Sequence, residues 1–97
     1  MKIPKSIIIN GVRIKIVWLK ELRGDKNELL LGQHDGTADT ITLVTSVSAD
    51  RIGEVFLHEL IHAICGDLAI NVGEDDLRRL ACGLIGVIRQ NALDFRR

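Results

Sequence analysis

The chain contains an apolar run, Val55-Phe-Leu-His-Glu-Leu-Ile-His-Ala-Ile64, interrupted only by two histidines and a glutamate. A stretch this apolar has to be buried, and polar side chains inside it need partners. One local structure supplies them. On a helix, positions i and i+4 lie one turn apart on the same face, so His58 and His62 project toward one point. Glu59 follows at about 100° of rotation, beside that point rather than on it. Two imidazoles converging with a carboxylate alongside can hold a zinc ion at about 2.0–2.1 Å from each nitrogen and place a general base next to it. The competing reading is a core helix that carries these residues by chance. Against it, two of the three histidines in the chain fall in this motif.

The 97 residues, 46% hydrophobic and 27% charged, are expected to form a single domain over residues 1–97. Thirteen basic and thirteen acidic side chains cancel, and aromatic residues make up only 3%, a balance that argues against a nucleic-acid partner. No apolar stretch reaches transmembrane length. The first residues, Met1-Lys-Ile-Pro-Lys5, lack the apolar run and cleavage site of a secretory signal. A cytoplasmic monomer without membrane contact is the expectation. In that compartment Cys65 and Cys82 stay reduced. Cys65, three residues after His62 on the same helical face, reads as a small packing residue near the site rather than a ligand. Cys82 falls off the apolar stripe of its helix and reads as inert.

The N-terminal half reads as strands. Ser6–Ile9 and Val12–Trp18 flank Asn10-Gly11, the strongest short hairpin signal. Val12, Ile14, Ile16 and Trp18 alternate with polar residues and predict one buried face. Glu28–Leu31 and Thr40–Thr45 read as two further strands, joined by a Gly- and Asp-rich hairpin loop over 32–39. The C-terminal half reads as two helices. The first is expected from Ser48, as N-cap, to about Cys65, with Gly66 as its stop. Its Phe56, Leu57, Leu60, Ile61 and Ile64 form a packing face. The second is expected over Glu74–Leu93, with Leu77, Leu80, Ala81, Leu84, Ile85 and Ile88 as its apolar stripe and Gly83 and Gly86 packed closely on a neighbour. The fold class is therefore α+β: an N-terminal antiparallel sheet of about three to four strands followed by two packed helices.

Two histidines do not suffice for a catalytic zinc, which ordinarily has three protein ligands and an open position. The extended pattern H-E-x-x-H-x-x-G-x-x-H is not met, because its glycine and last histidine fall on Cys65 and Leu68. Asp67, Glu74, Asp75 and Asp76 are the acidic candidates. Measured from the apolar stripe of the second helix, Glu74 lies roughly 60° away, Asp76 about 100°, and Asp75 nearly opposite. Glu74 ranks first, with Asp76 and then Asp67 behind it. Its plain structural role would be that of an acidic first-turn residue favoured by the helix dipole.

His58-Glu-Leu-Ile-His-Ala-Ile64, a short loop, and Glu74-Asp-Asp-Leu-Arg-Arg-Leu-Ala-Cys-Gly-Leu84 together resemble the minimal zincin-like metallopeptidase domains of phage and prophage proteins, and more distantly the ImmA/IrrE-type peptidases. Ile3-Pro-Lys-Ser-Ile7 and Ile41-Thr-Leu43 extend the likeness loosely. The resemblance implies a zincin-like fold with the motif on its first helix. It implies Zn2+ held by His58, His62 and Glu74, and Glu59 as catalytic base; alignment on Leu80-Ala81 instead puts Asp76 in third place. The implied activity is hydrolysis of peptide bonds in a peptide or protein substrate. A non-catalytic metal-binding interaction module on the same fold is the alternative. The chain has no tyrosine to stabilise an oxyanion, and His34 is expected in a solvated loop. The strand near Ile41–Val44 is expected to accept substrate as an added strand.

Overall fold

The structure is a computed structural model that describes residues 2–91 and 93. Its elements follow the order β1 (Ser6–Ile9), β2 (Val12–Leu19), β3 (Gly32–Asp35), β4 (Thr40–Val44), α1 (Ala49–Leu68) and α2 (Glu74–Asn91). The chain is α+β, with four strands in one sheet followed by two helices. The hairpin between β1 and β2 turns through Asn10 and Gly11, both at positive φ (48° and 84°), as a tight two-residue connection requires.

The sheet is mixed, not antiparallel throughout as the sequence reading has it. Its order is β1-β2-β4-β3, with β4 parallel to β2 and antiparallel to β3. Burial explains the insertion of β4 between two earlier strands. Ile41 and Leu43 are 0% exposed, and a central strand keeps such side chains dry, at about 1.5–3 kcal/mol each. The polar Gly32-Gln-His-Asp35 segment suits an edge.

β3 also starts later than expected. Residues 28–31 form no strand beyond an isolated bridge between Arg23 and Leu29, and Leu29 and Leu31 stay exposed. The strand occupies the first half of the expected loop instead. The turn after it is held by Asp35 Oδ1, which accepts from the N–H groups of Thr37 (2.9 Å) and Ala38 (3.1 Å).

α1 lies across one face of the sheet. Ile52, Phe56 and Ala63 pack there with Ile14, Ile41 and Leu43. Val12 and Trp18 share the alternation of Ile14 but are exposed near the ends of β2. The N-terminus of α1 is at Ser48 as expected, although the cap is made by its backbone: Ser48 O accepts from Arg51 and Ile52 N–H at 3.0 Å. Gly66 does not stop the helix, which continues to Leu68. Termination comes at Ala69, in the left-handed region (φ 55°), where the chain turns so that Ile70 N–H reaches Cys65 O at 2.9 Å.

α2 packs on the other side of α1 through Ala81, Ile85 and Ile88 against Leu57, Leu60 and Ile61. The expected stripe is split. Leu77, Ala81 and Ile85 are buried, whereas Leu80 and Leu84 are 50% and 44% exposed. A Cβ at Gly83 or Gly86 would meet nothing within 4 Å, so neither glycine serves close packing. α2 is described through Asn91, short of the expected Leu93, and residue 92 lies outside the described residues. Cys65 and Cys82 are free thiols. No helix among the described residues is long and apolar enough to cross a membrane.

Candidate metal centre

Residues 58–62 lie within the regular part of α1, so the i, i+4 geometry holds: the His58 and His62 rings stand 4.9 Å apart between centroids, inclined at 64°. Glu74 opens α2, directly after the connection between the helices. Packing of α2 on α1 carries its carboxylate across to both imidazoles. Oε1 lies 2.7 Å from His58 Nε2, and Oε2 lies 3.1 Å from His62 Nε2. One donor atom from each of the three residues lies within 4.8 Å of the others.

The other acidic candidates are placed elsewhere. Asp75 pairs with Arg78 at 3.4 Å and Asp76 with Arg79 at 3.0 Å, each along the exposed side of α2. Asp67 binds the side-chain amide of Asn10. Cys65 takes no part in the His58–His62–Glu74 group.

The donor set suits zinc. Two nitrogens and a carboxylate are ligands of the type found in catalytic zinc sites, and two donors bound to one tetrahedral ion stand roughly 3.3 Å apart. The observed 2.7 and 3.1 Å separations are about 0.6 and 0.2 Å closer, the distances of direct carboxylate–imidazole contacts. That difference is within reach of side-chain adjustment. Glu74 is half exposed, so its carboxylate has room to move.

Glu59 sits apart from this trio and is only 8% exposed, the one buried charged side chain among the described residues. Burial raises its pKa above the ordinary 4.5. The nearby His62 opposes that shift, Glu74 adds to it, and a hydrogen bond from the backbone N–H of His34 opposes it again. A carboxylate pushed upward in this way is closer to the range in which a general base works at neutral pH.

β3 covers Glu59, and Gly32 allows the approach. A Cβ on Gly32 would stand 2.9 Å from Val55 Cγ1, 3.1 Å from Glu59 Cγ and 3.3 Å from Thr42 O. Only a residue without a side chain lets the strand come this close. The register pairs Gly32 with Leu43 and His34 with Ile41, so both lie on the sheet face that carries α1. An open cleft of about 320 Å³ results, lined by Gly32, Gln33 and His34 from β3 and by His58, Glu59, His62 and Glu74.

Two sequence expectations change here. His34 is on a strand at the cleft, not in a solvated loop. β4, with Ile41–Val44, is hydrogen-bonded on both sides and cannot accept an added strand; the edge beside the cleft is β3. Gly32 did not stand out in the sequence, although its alternation with His34 ahead of Ile41 and Leu43 is a signal for a paired strand. Comparison with known proteins finds no matching family model, curated protein or solved structure.

Proposed function

We propose that this chain is a zinc-dependent peptidase of zincin-like architecture, acting on a peptide or protein substrate. One observation carries the reading: a single glutamate from α2 meets both motif histidines, next to a buried carboxylate that is not part of the trio. The helix dipole alone gives a helix-end glutamate no orientation toward two imidazoles. A plain structural metal site has no use for Glu59.

His58, His62 and Glu74 would hold the ion. Zinc bound there supplies a Lewis acid that polarises the scissile carbonyl and makes a water easier to deprotonate. Glu59 accepts the proton of the attacking water and delivers it to the leaving amine, so its pKa has to lie between those of the two partners. The backbone of His34 beside this carboxylate favours its charged form. In a chain without tyrosine, Gln33 and His34 are the cleft side chains outside this set able to donate to the developing oxyanion, and His34 is the one on the sheet face that carries α1. Substrate would pair with the outer edge of β3, whose main-chain groups give affinity without demanding a sequence.

The second reading, a metal-binding interaction module without turnover, draws on the exposed apolar row Leu80, Leu84 and Val87 on α2. A peptide-library screen of zinc-loaded protein separates the two. The expected result is one zinc per chain by elemental analysis and cleavage that falls about 10²–10⁴-fold in Glu59→Gln, with zinc retained. A zinc-loaded parent that cleaves no library member would favour the module.

A further inference from the structure

A second cavity, of about 340 Å³, shares a wall with the candidate centre, because His34 lines both. It lies at the end of the sheet where the β1–β2 and β3–β4 turns meet the last turns of α1. Ile9, Val12, Ile14 and Ala63 give it apolar walls, Asp39 and Asp67 are its acidic residues, and no lysine or arginine lines it. Its volume is at the low end of the roughly 300–1,000 Å³ typical of ligand pockets, enough for one long side chain.

Both carboxylates are available to a cation. Asp39 is anchored by its backbone, with φ 53° and its carbonyl accepting from Lys15 N–H at 3.0 Å. Its carboxylate makes no hydrogen bond among the described residues. Asp67 engages Asn10 through Oδ2 and keeps Oδ1 free of protein partners there. Asp67 also belongs to the final turn of α1, whose unpaired carbonyls add partial negative charge at the same place.

We propose that this cavity is a specificity subsite for a lysine or arginine side chain of the substrate. The aliphatic stem lies on Ile9, Val12, Ile14 and Ala63, and the cation reaches the carboxylates of Asp39 and Asp67. A strand added antiparallel to β3 runs in the opposite direction, so its N-terminal residues lie beside Asp35 and Gly36, where the cavity is. The basic residue therefore stands on the N-terminal side of the scissile bond. Its place in catalysis rests on the peptidase reading, but its chemistry does not.

Two measurements keep the two apart. The first needs no turnover: acetyl-arginine amide is titrated into zinc-loaded protein and backbone amide shifts are followed by NMR, with acetyl-norleucine amide as the uncharged control. The arginine probe should move Gly36, Ala63 and Gly66 and bind about fivefold or more tighter than norleucine. In the double variant Asp39→Asn/Asp67→Asn that advantage should vanish. Asparagine tolerates the positive φ at 39, and an amide at 67 still accepts from Asn10, so the fold should persist. The second is the library screen, in which Lys and Arg should be enriched upstream of the cleaved bond and the enrichment lost in the same variant. Equal binding of the two probes, or cleavage without a basic preference, would overturn the subsite while leaving the peptidase reading in place. Arginine-selective binding without any cleavage would uphold the subsite and sink the peptidase reading.

Discussion

Gly32→Ala tests the contact on which the candidate centre depends. The added methyl would stand 2.9 Å from Val55 Cγ1, 3.1 Å from Glu59 Cγ and 3.3 Å from Thr42 O. Ordinary carbon–carbon contact begins near 3.5 Å, so Val55 has to retreat by about 0.6 Å and Glu59 by about 0.4 Å. The third neighbour is backbone of the central strand and cannot yield. Overpacking of this kind costs about 1–3 kcal/mol. Replacing glycine restricts the unfolded chain and returns about 0.4–1 kcal/mol. The overpacking wins, leaving a net loss of about 1 kcal/mol. For a domain of this size that lowers Tm by roughly 4–8 °C. Thermal melting followed by circular dichroism reads the effect. Gly83→Ala is the control: with nothing within 4 Å of its Cβ, it should gain about 0.5–1 kcal/mol from helix propensity and melt higher. In the library assay Gly32→Ala should lose about tenfold or more in turnover, because it displaces Glu59, the proposed general base. Zinc content should not change, since the three atoms nearest the added methyl belong to none of the proposed ligands. A Gly32→Ala protein that melts at or above the parent temperature would show that β3 is not seated on α1, and the account of the buried base would go with it.

Glu74→Gln should lower zinc affinity at least tenfold in a chelator competition, whereas Asp76→Asn, which breaks only the exposed pair with Arg79, should leave it unchanged. Equal loss in both would reopen the choice of third ligand. Glu59→Gln should raise the Tm of zinc-free protein by a few degrees at pH 7. The folded pKa of Glu59 is raised by burial, so its contribution to stability is full below the ordinary 4.5 and is lost as pH rises through the folded value. The Tm advantage of the variant should accordingly disappear in acid, and an advantage that persists below pH 4 would rule out this cause. Leu77→Ala, at a position 2% exposed on α2, should cost about 2–5 kcal/mol by calorimetry or denaturant melting. A loss below 1 kcal/mol would mean that α2 is not docked as described.

Elements that depend on short-range chemistry were legible before any fold was known. Asn10-Gly11 specifies a tight hairpin because few residues tolerate its positive φ values. The spacing of His58, Glu59 and His62 specifies one helical face because the helix repeat is local. The rank of Glu74 among the acids came from the same periodicity. Properties that depend on which surfaces meet were not legible. Nothing within Ile41–Val44 states that β4 will lie between β2 and β3 rather than at the sheet edge beyond β3; that follows from Ile41 and Leu43 needing cover on both sides. Gly32 reads as a loop glycine until α1 is laid across β3, when the missing side chain becomes the reason a strand can sit on Glu59. Leu77 and Leu80 are equivalent in the stripe of α2, and only the angle at which that helix meets α1 buries one and exposes the other. The pKa of Glu59 is likewise a property of assembly, because desolvation comes from elements distant in the chain. Periodicity assigns residues to faces, but what lies against each face is decided by competition for a single core.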